Sequence, residues 1–159
     1  MLDPDVPVHI FTSYAHADEA WREKLDSHLA VVRRHAAVTI WNDRGIDPGE
    51  EWDEEIRSAL RDADIILLLV SSAFLASDYI YTVELKEALD RHARKEAVVI
   101  PVILRPCHWQ VAEFARLQAL PRNATPVTRW PDEDEALVDV AQGLYRTIRN
   151  VQQRKKQGA

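Results

Sequence analysis

The 159-residue chain reads as one α/β domain: a five-stranded parallel sheet with helices on both faces. Three observations predict this. Short apolar runs alternate five times with segments of helical periodicity. One of the runs, Ile65 to Val70, is apolar at every position, as a strand buried on both faces is. And 47% of the residues are hydrophobic, enough apolar mass for a single core at this length.

The first strand is predicted over Val6 to Phe11, with Thr12, Ser13 and Tyr14 leaving it. Asp18 is placed to cap a helix whose apolar face is Trp21, Leu25, Leu29 and Val32. Arg33 and Arg34 end that helix where cations suit the negative end of its dipole. Val38 to Trp41 is the second strand, and a loop rich in charge and turn residues follows from Asn42 to Glu50. Trp52, Ile56 and Leu60 mark a short amphipathic helix, with Trp21 and Trp52 expected as packing anchors.

The all-apolar third strand ends at Ser71 and Ser72 and leads to a helix carrying Tyr81, Leu85, Leu89 and His92. Lys86 can pair with Asp90 and Glu87 with Arg91, one turn apart. Ala97 to Leu104 is the fourth apolar run; Pro101 inside it implies a bulge, an edge or early termination. Trp109, Val111, Phe114 and Leu117 suggest one or two short helical turns, and Thr125 to Thr128 a fifth strand. Leu137, Val140, Leu144 and Ile148 define a last helix, opened by an acidic turn after Pro131. The domain thus spans residues 6–150, and residues 151–159 read as a polar tail or the start of a linker.

Composition excludes several classes. With Lys+Arg 20 against Asp+Glu 26 and a net charge of -6, the chain has no basic surface for a nucleic-acid duplex. A single cysteine, Cys107, rules out an internal disulfide and fits a reducing compartment. No apolar stretch is long enough to span a bilayer, and MLDPDVPV is too acidic and broken for a signal peptide, so a cytoplasmic location is expected. None of the four glycines forms a phosphate loop. The histidines lack ligand spacing, and no metal site is expected.

For five alternating units the default strand order is 2-1-3-4-5, the flavodoxin-like arrangement, which opens a crevice between strands one and three at their C-terminal ends. Ser13 and Tyr14, the Asp43 to Glu50 loop, Ser71 and Ser72, and Glu84 then border one cleft. Glu84 stands out among them. Three and four residues away it finds Ile80, Tyr81, Glu87 and Ala88, which offer no cation. A solvated helix glutamate is the ordinary alternative; a functional carboxylate is the sharper one.

The segments IFTSYAHAD, WNDRGIDPGEEW and ADIILLLVSSAFLASDYIYTVEL, in this order, resemble a Toll/interleukin receptor (TIR) domain of the bacterial type. The likeness runs from about Val8 to Ile148, and PVILRP with the following Trp109 adds to it. The resemblance implies two activities. Some members are adaptors that assemble through the loop after the second strand; here its matching positions are Arg44, Gly45, Ile46, Pro48 and Gly49. Others cleave NAD+ at the nicotinamide–ribose bond once assembled, and their essential glutamate falls at Glu84.

What the resemblance implies is therefore an NAD+ glycohydrolase that takes NAD+ as substrate and needs no further cofactor. It would be activated by TIR self-association and coupled to a sensor protein or domain, as an effector in prokaryotic antiviral immune signalling. Nicotinamide leaves as a neutral base, so one carboxylate near the ribose suffices, stabilising an oxocarbenium-like charge or attacking it. Burial beside Tyr81 and Glu87 would tend to raise the pKa of that carboxylate. Ser13, Ser71 and Ser72 would hold ribose or phosphate beside Asp43, and Tyr14 or Tyr79 would stack on a ring, while turn capping and packing are the plain alternatives. One position departs from the pattern: Ile80 stands where many NAD-cleaving members have tryptophan. Two other classes stay open, a non-catalytic TIR interaction module (adaptor or mimic of host signalling) and a nucleoside 2-deoxyribosyltransferase-like enzyme.

Overall fold

The computed structural model describes residues 2–35, 37–42 and 52–158, with the backbone alone of residue 35. Four parallel strands form the sheet: β1 Val8–Ser13, β2 Val38–Trp41, β3 Ile65–Val70 and β4 Val98–Ile103, in the order β2-β1-β3-β4. The helices are α1 Glu19–His35, α2 Trp52–Asp62, α3 Ser72–Ala76, a π turn Ile80–Leu85 continuing into α4 Lys86–Ala93, and α5 Glu133–Gln157. The predicted order thus holds for four strands.

The fifth strand is not formed. Thr125 to Thr128 instead holds a 3-10 turn, Val127–Arg129. Pro126 has no N–H to give a ladder, and the edge of β4 is already taken. Leu120 donates its N–H to Pro101 O and accepts from Ile103 N, each at 2.8 Å. Pro101 accordingly lies in an edge strand, with its imino nitrogen on the side away from the β3 ladder, and β4 runs through it without breaking.

Strand alternation sorts the core into two layers. Val8, Ile10, Ile65, Leu67, Leu69 and Val102 pack with Leu25 and Leu29 of α1 and Leu137, Val140, Leu144 and Ile148 of α5. Phe11, Ile66, Leu68, Val70 and Ile103 pack with Ile56 and Leu60 of α2, the π turn and Ala88 of α4. All six residues of β3 are fully buried, the expected consequence of a strand with helices on both sides. Each of its large apolar side chains contributes roughly 1.5–3 kcal/mol through burial.

Four local expectations change. β1 continues through Thr12 and Ser13, both buried, because their hydroxyls do not prevent parallel pairing with Leu67 and Leu68. Trp52 is no core anchor; it is 45% exposed at the start of α2. Arg91 turns inward, where its guanidinium donates to Leu60 O at 2.5 Å, Ala63 O at 2.6 Å and Glu96 O at 3.1 Å. It closes the C-terminal end of α2, where carbonyls lack intrahelical partners. The stretch read as a polar tail is the end of α5: Val151 and Gln152 are buried, and the Gln152 amide bonds Asp3 and Val6 of the N-terminal segment.

Candidate functional site

The candidate site lies where β1 and β3 deliver the chain to the C-terminal edge of the sheet. Ser13 pairs with Leu68 and shares its face, the α2 and α4 layer. Tyr14, one residue on, belongs to the opposite layer with α1 and α5. The period of two in a strand therefore separates these neighbours.

Glu84 reaches the same edge from the π turn. It is 8% exposed, and Ser13 Oγ donates a hydrogen bond to its Oε1 at 2.6 Å across a separation of 71 residues. That distance lies within the ordinary range for a hydroxyl donating to a carboxyl oxygen. The carboxylate marked by its lack of a helical cation is thus a buried group tied to the central strands.

In a π turn hydrogen bonds run from residue i to i+5. The residue one such turn before Glu84 is Tyr79, while Ile80, four before it, is 4% exposed and packs in the core. Tyr79 donates its hydroxyl to Asp53 Oδ1 at 2.8 Å, and its ring centroid lies 4.6 Å from that of Trp52 with a 41° tilt. Burial pushes the Tyr79 phenol well above its ordinary pKa; the hydrogen bond and charge of Asp53 add to this, and the charge of Glu84 contributes further. Tyr79 therefore stays protonated, within electrostatic reach of Glu84.

A second buried carboxylate, Asp18, sits in the 3-10 turn His16–Asp18 that follows β1. It is 1% exposed. Ser71 Oγ and, at 3.3 Å, the half-exposed Arg105 both donate to it. Ser71 also accepts from Phe74 N at 3.1 Å as the N-cap of α3. One hydroxyl thus caps a helix and ties β3 to the turn after β1.

The structure therefore brings Ser13 and Glu84 into contact, with Ser71 on the same edge. Ser72 is exposed in the first turn of α3. Tyr14 is buried, with its hydroxyl on Glu19 and the Arg22 guanidinium 5.7 Å from its ring. Asp43 and the loop positions Arg44, Gly45, Ile46, Pro48 and Gly49 lie outside the described residues. Sequence reasoning missed Asp18 as a buried anchor, Arg105 as its counterion and Asp53 as the partner of Tyr79. Arg105 was within reach of it, since it lies just past the C-terminal end of β4, the sheet edge where open α/β folds place ligands.

Fold and edge geometry define a TIR-like α/β domain with a carboxylate at the switch point between β1 and β3. The TIR domain family model matches residues 10–139, and the chain belongs to that family. It is 46% identical over 135 residues to the protein y4lF of Sinorhizobium fredii, a match covering 85% of this chain and 42% of that protein; the chain spans less than half of its relative's length. Among solved structures, the TIR domain of the Toll-related receptor TRR-2 from Hydra magnipapillata aligns with a TM-score of 0.59 at 20% identity, covering 88% of this chain and 97% of that one. The RPS4 and RRS1 TIR domain heterodimer aligns with a TM-score of 0.52 at 13% identity, covering 89% and 97%. At these identities the likeness concerns the fold.

Proposed function

We propose that this TIR domain cleaves NAD+ at the nicotinamide–ribose bond and that Glu84 is the catalytic carboxylate. The observation that carries this reading is the placement of Glu84: 8% exposed, at the C-terminal edge of a parallel sheet, with Ser13 of β1 on its Oε1. A buried carboxylate costs stability unless it is hydrogen-bonded, and a site of this kind is a functional candidate on physical grounds.

The reaction asks little else of the protein. The C1′–N1 bond breaks with its electron pair passing to the nicotinamide ring, which leaves neutral. Positive charge then spreads over ribose C1′ and the ring oxygen, and Glu84 opposes it or bonds to it transiently. Water adds at C1′ and gives up a proton to solvent, yielding ADP-ribose. The exposed Trp52, packed on the partly buried Tyr79, offers an aromatic face suited to a planar cationic ring. Self-association through the loop at residues 43–50 would complete the active form, with a sensor supplied by a further domain or protein, in a prokaryotic defence role.

A second reading, the non-catalytic interaction module, is favoured by one observation. Glu84 is already engaged by Ser13, as a structural carboxylate would be. Nicotinamide release from NAD+ separates the two. The glycohydrolase reading expects release that rises steeply with protein concentration and vanishes in Glu84→Ala. No release from bead-clustered wild-type protein would establish the module instead.

A further inference from the structure

We propose that Ser13 is a positioning residue: its hydroxyl fixes and charges the Glu84 carboxylate rather than touching the substrate. This inference rests on the glycohydrolase reading and assigns Ser13 a role different from the ribose or phosphate contact that its sequence position suggests.

The geometry favours an internal role. Ser13 is 1% exposed, so its hydroxyl has almost no surface to offer a ligand. A serine hydroxyl has one proton to donate, and that proton is given to Glu84 Oε1 at 2.6 Å. The donor stands on a rigid base. Ser13 is the last residue of β1, a strand paired on both sides, and its own partner Leu68 is in the fully buried β3.

The acceptor stands on a softer one. Glu84 projects from a π turn on a side chain with three rotatable bonds, one of the costlier side chains to immobilise. The short, fixed side chain thus orients the long, mobile one. The contact also favours the ionised carboxylate, because a donor stabilises the charged form. An oxocarbenium-like charge needs both properties, a carboxylate that is negative and one that is already in place.

Steady-state NAD+ cleavage by clustered protein, wild type against Ser13→Ala and Ser13→Thr, tests the assignment over pH 4–9. Losing one hydrogen bond to a charged group predicts a fall in kcat of about 10- to 100-fold in Ser13→Ala, with KM within about threefold of wild type. The acid limb of the kcat profile should also move to higher pH, since the carboxylate has lost its donor. Ser13→Thr keeps the hydroxyl and should restore most of kcat even where its added methyl group lowers the melting temperature.

A Ser13→Ala enzyme that loses activity through KM, with the acid limb unmoved, would make Ser13 a substrate contact and overturn the proposal. Unchanged kinetics would overturn it equally while leaving the glycohydrolase reading intact. Absence of turnover in clustered wild type would remove both.

Discussion

Replacing Ser71 with alanine tests how this sheet edge is held together. Its hydroxyl does two things at once: it accepts from Phe74 N at 3.1 Å as the α3 N-cap and donates to the buried Asp18 carboxylate. Losing the cap costs about 1 kcal/mol. Taking a donor from a buried carboxylate costs about 1–3 kcal/mol, and the lower half of that range applies because Arg105 remains at 3.3 Å on the other oxygen. The sum is about 2–3 kcal/mol, or about 4–12 °C of melting temperature for a domain of this size. Circular dichroism melts of wild type, Ser71→Ala, Ser71→Thr and Ser71→Asp would read it. Thr should keep most of the stability. Asp can cap α3 but sets a second negative charge against Asp18, so it should recover little. A Ser71→Ala shift below about 2 °C, or full recovery by Asp, would refute the double role.

Two further outcomes follow from buried or shifted groups. Arg91→Met should lower the urea midpoint by an amount equivalent to about 3 kcal/mol with the m-value unchanged, because the carbonyls of Leu60, Ala63 and Glu96 lose their donors; an unmoved midpoint would show that water replaces the guanidinium. Tyr79→Phe addresses pH. The fold raises this phenol, so the unfolded chain releases the proton first, and wild-type stability falls as pH rises above the ordinary tyrosine value of 10.0. Melting temperatures measured from pH 8 to 11 should drop more steeply in wild type than in Tyr79→Phe, and parallel curves would contradict the assignment.

How much was legible in the sequence depended on where each signal resides. β2 and β3 match their apolar runs at both ends, Val38–Trp41 and Ile65–Val70, because burial on the sheet requires unbroken apolar stretches. β1 was placed two residues early. Ser13 and Thr12 look like loop residues until the partner of Ser13, 71 positions away, is known. The fifth strand failed on a visible signal: Pro126 lies inside Thr125 to Thr128, and a β-branched run around a proline makes a poor ladder. Arg91 was assigned its helical neighbour Glu87, yet long-range carbonyls outweigh an i,i+4 pair worth a few tenths of a kcal/mol. Glu84 was found because an absence, that of a local cation, was already written in the sequence. The pairings of Asp18 and Asp53 were not, since both depend on which loops the fold brings together.

The π turn changes what the isoleucine at position 80 implies. On an α-helix the residue four before Glu84 shares its face, so Ile80 in place of an aromatic would leave the carboxylate without a stacking partner. The turn from Ile80 to Leu85 adds a residue to that repeat. Ile80 then falls into the core beside Phe74 and Leu85, where an isoleucine packs well. Tyr79 takes the position one turn before Glu84, its phenol feeling the charge of that carboxylate and its ring against Trp52. An extra residue in a helix lengthens the span between hydrogen-bonded groups and persists only where packing compensates it, which is why such turns gather at functional sites. Here the compensation is visible: Ile80 is buried in the core, and Tyr79, the residue before the π turn, packs its ring against Trp52 of α2. The departure from the family pattern therefore leaves an aromatic pair where α2 meets the residue that precedes the π turn.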